Sequence, residues 1–544
     1  GRLHRRIGEA LESLAEQDDG SRLPALAHHF AEAASAGAAH KAADYALAAA
    51  RQAVAQAAWE DAAAMLDRGL EALEASDPSD AERRCDLLLL LAETWTRFYD
   101  PPRAAACALP AAELARALGS PDRLGWAAYW YLRSTGGAST EPTGASSTLA
   151  EEALVAIGDD APPGLRARLL AMTAQIQWIT EKTSNTNAGA ALALARRSGD
   201  PGALGVALSV SCSQLRGSPY PEEHLALAEE LVTAAPPDGW DGWRQGYEQR
   251  AMARLALGDR VGFEADVAAC QRLGAQRRYW YYRWVGGFLQ ATLALLDGRF
   301  AEVEALAAQA RDVNPQWDFC RQLFARQMFR LHLERGNASE AKATASRLVS
   351  AWPDNSMHRG MLALARVELG ELDEVRQELE GLATLADGAV VGLLAPDDRG
   401  EIPNERWPVT LAYWAEVTAH LSDSVWAETL YRALRPYEAQ VVIGGRADGC
   451  MGAVDRYLGV LATTMGRWQE AQTHYEAALV IETKLASPPL LARTRALFGQ
   501  MLLERGGQGD ATQAKDLLFN ALAAAERLGM AGLVAQVGGL IGRS

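Results

Sequence analysis

The hydrophobic and polar positions along the chain follow a helical period almost throughout, and the alternation typical of strands is nearly absent. Alanine, leucine, glutamate, glutamine and arginine fill long stretches, and these residues favour the helix. Short clusters rich in Gly, Pro, Ser and Asp interrupt the pattern and predict turns between helices. These clusters are residues 75–80, 119–122, 199–202, 234–239 and 487–489.

A glycine-centred hexapeptide recurs along the second half of the chain. Strong copies, with an acid four residues after the glycine and Ala or Val at the fifth, begin at Gly298, Gly336, Gly370 and Gly466. Weaker copies begin at Ala57, Ser424 and Gly506. We expect each glycine to end one helix in the left-handed conformation, and the acid to stabilise the first turn of the next helix.

Three copies of the hexapeptide have a bulky residue two positions after their start, which we expect to pack between helices: Phe300, Trp426 and Trp468. After Trp468, the order of Ala471, Tyr475, Ala478 and Leu479 is close to the second helix of a tetratricopeptide repeat. The sequence therefore predicts an all-α fold, a TPR-like α-solenoid of roughly 12–14 helical hairpins curved around a groove. Two segments break the pattern, a polar loop at 133–148 and a long connection at 387–408.

The first part of the chain resembles a known junction. "RLHRRIGEALE" (2–12), followed by "LAHHFAEA" and "KAADYALAAARQA", is similar to the start of the C-terminal helical repeats in bacterial STAND-type ATPases. These include the large ATP-binding LuxR-type transcriptional regulators and the ATPases attached to nucleotide cyclase domains. Looser matches to the same family occur at 84–94, 165–175, 293–307, 456–479 and 523–537.

The resemblance implies a domain organisation and a regulatory role. Residues 1–54 would be junction helices that follow an ATPase module of the same polypeptide, residues 55–290 the N-terminal repeats and residues 291–544 the C-terminal repeats. In that family the repeats sense an effector and restrain the ATPase, and a DNA-binding or cyclase domain gives the output. The chain starts at Gly1 within a helical pattern, so we expect it to be a fragment of a longer protein.

Composition narrows the classes of partner. The 544 residues are 49% hydrophobic and carry a net charge of -16, which argues against direct binding to nucleic acid or to an anionic membrane. No apolar run approaches the roughly 18 residues of a membrane span. Six scattered cysteines without a CxxC pair indicate a reduced, cytoplasmic protein without a zinc site or a disulfide framework.

Candidate catalytic and metal-binding motifs are weak. Neighbouring residues of a helix point about 100° apart, so we expect His28 and His29 not to share an ion, and we predict packing for both. His28 and Glu32 have a spacing that suits a shared ion, but no third ligand is evident. Residues 443–452, "IGGRADGCMG", have the GxxxxG spacing of a phosphate loop but lack its Lys and Ser/Thr. The segment is predicted to be a loop between repeats, with contact to a partner as the functional alternative.

Aromatic residues supply the candidate ligand site. The chain has 15 tryptophans against 10 phenylalanines, and "QRRYWYYRW" (276–284) interleaves aromatic rings with arginines. Packing in the core is the favoured interpretation of most of these rings, and a ligand-binding wall is the alternative. The predicted wall consists of Trp130, Trp178, Arg216, Tyr220, Tyr279, Arg283, Trp284 and Trp317.

The leading hypothesis is a non-catalytic effector-sensing arm of a STAND-type regulator, without a metal or cofactor of its own. Its effector would be a small molecule or a protein bound in the groove, and a second copy of the chain is another candidate partner. The alternative is a constitutive TPR scaffold for protein interactions. A third hypothesis is an enzyme without a recognised motif, which would require titratable side chains that converge in space.

Overall fold

The computed structural model describes residues 1–13, 20–135, 144–159, 162–180, 186–234, 245–276, 280–353, 355–384 and 407–542. These ranges contain 27 α-helices, together with short 3-10 helices and a two-stranded sheet. The predicted all-α helical-repeat fold is confirmed, and the number of helices agrees with the roughly 12–14 hairpins expected. The strands were not predicted. The helices form two compact units.

The first unit comprises residues 1–181, 185–210 and 236–242. Its helices are α1 (Arg2–Ser13), α2 (Leu23–Glu32), α3 (Ala39–Ala55), α4 (Trp59–Ser76), α5 (Ala81–Phe98), α6 (Pro101–Ala117), α7 (Pro121–Thr135), α8 (Gly144–Ile157), α9 (Pro163–Thr180), α10 (Thr186–Ser198) and the start of α11 (Pro201–Leu215). A 3-10 helix, Ala34–Ala36, separates α2 from α3. Each helix from α1 to α9 packs against the next, and α3, α5, α7 and α9 also pack in succession. This is the pattern of stacked helical hairpins.

The second unit comprises residues 182–184, 211–235 and 243–544. After α11 its helices are α12 (Pro221–Thr233), α13 (Gly246–Ala256), α14 (Arg260–Gln276), α15 (Trp280–Asp297), α16 (Phe300–Asp312), α17 (Asp318–Glu334), α18 (Ala338–Ala351), α19 (Ser356–Glu368), α20 (Leu372–Thr384), α21 (Trp407–Leu421), α22 (Ser424–Leu434), α23 (Val454–Thr464), α24 (Trp468–Lys484), α25 (Pro488–Arg505), α26 (Asp510–Leu528) and α27 (Ala531–Ile541). A 3-10 helix (Arg435–Tyr437) and the strands β1 (Val441–Ile443) and β2 (Cys450–Ala453) lie between α22 and α23. The predicted domains 1–54, 55–290 and 291–544 stay a prediction, because the division between the compact units falls within α11 and does not identify a functional junction.

The turn chemistry expected from the repeat is present. The glycines of the strong copies all have left-handed backbone, with φ between +71° and +78°, and they are Gly298, Gly336, Gly370 and Gly466. Ala57 and Gly506 of the weaker copies also have positive φ. In the remaining copy the left-handed residue is Ser422, and Ser424 instead begins α22. Asp423 caps that helix by accepting hydrogen bonds from two backbone amides of its first turn.

The second unit departs from an open solenoid because helices far apart in sequence pack directly on each other. Helix α15 contacts α25, and α17 contacts α27. A Cβ atom on Gly336 would lie 2.5 Å from the backbone nitrogen of Gly532, so the two backbones touch. One apolar cluster joins Phe300 to Leu518 and Met530. In an open solenoid each repeat contacts only its neighbours, whereas this unit closes on itself.

The two predicted irregular segments are only partly described. Residues 133–135 complete α7 and residues 144–148 begin α8, so the predicted loop 133–148 is wrong at both ends, and its centre, 136–143, lies outside the described residues. Most of the predicted connection 387–408 also lies outside them, and its last residues, Trp407 and Pro408, begin α21.

Candidate functional site

The segment predicted to be a glycine-rich loop is a β-hairpin buried inside the second unit. Strands β1 and β2 pair in antiparallel fashion, and the Gly444 amide donates to the Gly449 carbonyl oxygen at 2.8 Å. Every residue from 441 to 453 is buried except the half-buried Ile443. The GxxxxG spacing therefore serves a tight turn at the tip, and this segment, residues 441–453, is called the hairpin below.

Arg446 anchors the tip of the hairpin. Its Nε and Nη2 atoms donate to the two carboxylate oxygens of Glu248 on α13, which is the bidentate geometry of a strong ion pair. Nη2 also donates to the Tyr281 hydroxyl at 2.9 Å, and that hydroxyl donates to Glu248. The guanidinium carbon lies 5.4 Å from the ring centroid of Trp284 and 5.5 Å from that of Phe319. Since Arg446 is 5% and Glu248 0% exposed, this charge pair is enclosed by aromatic rings and removed from water.

The next two residues of the tip are also held by surrounding helices. The Ala447 carbonyl oxygen accepts a hydrogen bond from Thr292 Oγ1 of α15 at 2.8 Å. The Asp448 carboxylate lies 3.6 Å from the guanidinium of Arg326 on α17, and both side chains are buried. Ala447 has φ +57°, an uncommon conformation for a residue with a Cβ atom. The tip is therefore fixed by polar contacts and holds local backbone strain.

A second buried charge pair holds the base of the hairpin. Arg456 on α23 and Glu482 on α24 approach to 3.2 Å, and Arg456 also donates to the Met451 carbonyl oxygen. Glu482 accepts from the Ala453 amide at 3.2 Å and from Thr494 Oγ1 at 2.6 Å. Burial raises the pKa of Glu482, while Arg456 and the Thr494 hydrogen bond oppose the rise. The tip and the base of the hairpin are thus each held by a buried pair of oppositely charged side chains.

A small pocket lies beside β1. Arg216, His224, Met252 and Tyr437 are among its lining residues, and the space open to the centres of water molecules is about 20 Å³. That is room for about one water, far below the several hundred Å³ of a typical small-molecule site. The buried Tyr437 hydroxyl has no hydrogen-bond partner among the described residues, so the pocket presents one unused polar group.

The sequence-predicted ligand wall is only partly assembled. In the second unit, Trp284 and Trp317 have ring centroids 4.8 Å apart, and Trp284 also faces Arg446. Arg216 lines the pocket beside β1, whereas Tyr220 and Arg283 are exposed.

The remaining members of the wall lie elsewhere. Trp130 and Trp178 belong to the first unit, where Trp130 is buried and stacks on Trp126 with ring centroids 6.1 Å apart. Tyr279 lies outside the described residues. The wall therefore stays a prediction. The structure adds Tyr281 and Arg446 to the side chains around Trp284, and Glu248 is bound to both of them. In the sequence, Arg446 is marked by its position as a charged residue within a glycine-rich turn between two apolar runs.

The two adjacent histidines of α2 do converge, contrary to the argument from their 100° separation. His4 of α1 joins them, and a ligand atom of each of the three rings lies within 4.8 Å of the others. The 100° separation describes the directions of the two Cα–Cβ bonds, and the ring nitrogens at the ends of the side chains nevertheless come together. Glu32, the other ligand considered from the sequence, is not part of this cluster.

Another cluster of titratable residues supports the start of the hairpin. His474 Nδ1 lies 3.2 Å from Asp455 and 3.7 Å from Glu438, and its Nε2 lies 2.9 Å from the Tyr431 hydroxyl. The second oxygen of Asp455 accepts from the Ala439 amide at 2.9 Å. These groups use one another and the backbone as partners, and none of them lines the pocket beside β1.

Comparisons with known proteins assign no family to this chain. No protein-family model matches the sequence, and no curated protein matches it. Among solved structures, 46 chains match. One belongs to the crystal structure of the APC/C hetero-tetramer Cut9-Hcn1, with 14% identity and a TM-score of 0.43 over 90% of this chain and 88% of that chain. None of the helices within the described ranges is long and apolar enough to cross a membrane.

Proposed function

We propose that this chain is the non-catalytic, effector-sensing repeat region of a STAND-type regulator, and that an effector acts by displacing the hairpin. One observation carries the proposal: the interior of the second unit is occupied by a segment of its own chain, anchored through the buried pair of Arg446 and Glu248. The resemblance of residues 2–53 to the STAND junction supports an ATPase module upstream in the same polypeptide.

The polar character of the anchor suits an exchangeable element. Taking two charges out of water costs about as much as their attraction returns, so a buried pair gives specificity more than net stability. A ligand that brings its own cation to Glu248 would replace Arg446 without leaving a buried charge unpaired. The effector class that fits is therefore a protein segment or a small molecule with a guanidinium or ammonium group, held between Trp284 and Phe319.

The size of the pocket bears on how an effector would enter. Since the space beside β1 holds about one water, neither a peptide nor a metabolite fits while the hairpin is in place. Binding therefore requires the hairpin to move, and the ligand would have different affinities for the closed and open states. Such a difference is the thermodynamic condition for a conformational switch.

A constitutive protein-interaction scaffold is the second candidate function. The regular stacking of helices in the first unit favours it, because such arrays present extended surfaces. The hairpin would then be a permanent part of the core. The enzyme hypothesis has a weaker basis: titratable groups do converge at His474 and Asp455, but they are saturated by internal partners.

The test begins with native mass spectrometry of the chain isolated from its source organism, which gives the mass of any bound molecule. Hydrogen exchange of residues 441–453 is then measured with and without that molecule. The sensor proposal predicts faster exchange in the hairpin when the ligand is bound, and Arg446→Ala should raise the ligand's affinity. Arg432→Ala, which removes an exposed arginine of the preceding helix, should leave it unchanged. The scaffold hypothesis would be favoured if the ligand does not change hydrogen exchange in the hairpin and binds the Arg446→Ala variant as tightly as the unmodified chain.

A further inference from the structure

We propose that His4, His28 and His29 of the first unit bind one divalent transition-metal ion of the zinc class. The three imidazoles come from two helices, α1 and α2, and meet where these helices pack. This site is independent of the hairpin, and it departs from the sequence-based prediction that the chain has no metal ligands.

The geometry is close to that of a bound ion. His4 Nδ1 lies 3.0 Å from His29 Nδ1, and the ring centroids of both lie within 6 Å of that of His28. Zinc–nitrogen bonds are about 2.0–2.1 Å, which places two nitrogens of a tetrahedral site about 3.3 Å apart. The His4–His29 pair is hydrogen-bonded at a slightly shorter spacing, so a small separation of the two nitrogens would admit the ion in place of the shared proton. The exposed His28 ring is free of the core and able to complete the set.

The surroundings favour a ligand role over packing. A hydrogen bond between His4 and His29 accounts for that pair, but apolar packing does not explain the position of His28, which is exposed and gains no burial there. Arg5, the neighbour of His4 in sequence, is engaged by Glu9 at 2.9 Å and by the Ala36 carbonyl oxygen at 3.2 Å. A set of neutral imidazoles suits zinc, copper and nickel rather than magnesium or calcium. The exposed edge leaves a coordination position for water.

A bound ion would strengthen the attachment of α1. That helix also contacts the unit through Arg5, which donates to the Ala36 carbonyl oxygen. Further along the helix, Gly8 packs on the Phe30 ring, and Glu12 accepts from Lys41 and from Tyr45 at 2.7 Å. The Gly8 and Glu12 contacts lie in the middle and at the end of α1, so an ion at His4 would add to the Arg5 contact in the first turn. A ligand that binds only the folded chain stabilises it by mass action, so the ion would reduce fraying of this helix.

Cobalt(II) is the direct probe, because its visible absorption is intense in a tetrahedral site and weak in an octahedral one. The 544-residue chain, stripped of metal with a chelator, is titrated with Co²⁺ and then with Zn²⁺. We expect one saturable tetrahedral site from which Zn²⁺ displaces Co²⁺. His4→Ala and His28→Ala should each weaken Co²⁺ binding by at least about 100-fold, more than the usual loss for a residue that merely orients a ligand.

His40→Ala is the matched control. His40 lies 2.9 Å from Asp77 in a separate surface cluster with Asp80, so its loss should leave the cobalt spectrum unchanged. His28→Ala removes only an exposed ring, so a folding defect would not explain a lost signal, and circular dichroism verifies this. A chain without a saturable tetrahedral site, or one whose site survives both His4→Ala and His28→Ala, would overturn the proposal.

Discussion

The substitution Arg446→Ala tests whether the hairpin is anchored by its buried charge. It removes the guanidinium that pairs with Glu248 and contacts Tyr281, and it leaves the carboxylate in a site that is 0% exposed. The rings of Trp284 and Phe319 lose their cation at the same time. The effect should be confined to the second unit, because every partner of Arg446 named here lies in it.

The magnitude follows from the partners that are lost. Removing one member of a buried ion pair costs about 3–5 kcal/mol, because the other charge is left uncompensated. The cation–π contacts add about 1 kcal/mol. We therefore expect Arg446→Ala to lower the free energy of unfolding of the second unit by about 4–6 kcal/mol. Adding Glu248→Gln should recover about 2–3 kcal/mol of this loss, since the double variant no longer buries a lone charge.

Hydrogen exchange with mass spectrometry is the appropriate assay, because two compact units need not unfold together. Peptides from α13 and α15 report on the second unit, and peptides from α3 and α5 are the internal control. Millimolar methylguanidinium should restore part of the protection in Arg446→Ala by filling the vacated site. Tetramethylammonium has the same charge but no N–H donors, and it should restore less. A loss below about 1 kcal/mol, or strictly additive effects of the two substitutions, would refute the anchoring role.

Three further predictions concern closure, hydrogen bonding and pH. Gly336→Ala should destabilise the second unit by more than Gly370→Ala. Both glycines have positive φ, which costs an alanine about 1–2 kcal/mol, but of the two only Gly336 touches another backbone. Equal losses of stability in denaturant titrations would argue against closure between α17 and α27. Thr292→Val should lower the free energy of unfolding by about 1–3 kcal/mol, because the buried Ala447 carbonyl oxygen loses its hydrogen-bond donor. Hydrogen exchange in the hairpin should become faster, and an unchanged rate would contradict the role of this contact. Burial, aided by the charge of Arg216 and opposed by a hydrogen bond to Gln249, lowers the pKa of His224 from 6.5 to about 4. As the pH falls, the imidazole of the unfolded chain is therefore protonated before that of the folded chain. The contribution of neutral His224 to the free energy of unfolding is fully present above pH 6.5 and decreases by about 3 kcal/mol as the pH drops toward 4. His224→Gln should remove that part of the pH dependence, and parallel curves for the two proteins would contradict it.

Local sequence signals predicted the helical repeat well. Glycine at the end of a helix and an acid in the next first turn act over a few residues, so Gly298 and Gly466 could be placed without knowledge of the tertiary structure. The burial of Phe300 and the packing of Ala471 and Tyr475 follow from the same helical period. These features depend on chemistry that the sequence displays directly.

The candidate site was harder to predict because it depends on contacts between distant residues. Arg446 and Glu248 are 198 positions apart, and nothing near either residue signals the other. Strand-like alternation over 441–453 is too short to show a period, so the hairpin was assigned to a loop. His4 was overlooked for the same reason, because its cluster with His28 and His29 exists only when α1 packs on α2.

The closure of the second unit was also invisible to pattern analysis. The contact between Gly336 and Gly532 joins two turns that each appear ordinary for a repeat. A repeating sequence predicts contacts between neighbours, whereas closure depends on the accumulated rotation of many helix pairs. The repeat pattern therefore does not predict the enclosed interior that the hairpin fills.

The central claim, that the hairpin is an exchangeable occupant of the second unit, is tested most directly by hydrogen exchange of residues 441–453 in the unmodified chain. The account predicts that these amides exchange through a local opening, faster than those of α24, which packs beside β2. It also predicts that millimolar methylguanidinium accelerates them while α24 is unaffected. Exchange of the hairpin at the same rate as α24, unchanged by methylguanidinium, would show that the hairpin is a permanent part of the core and would contradict the account.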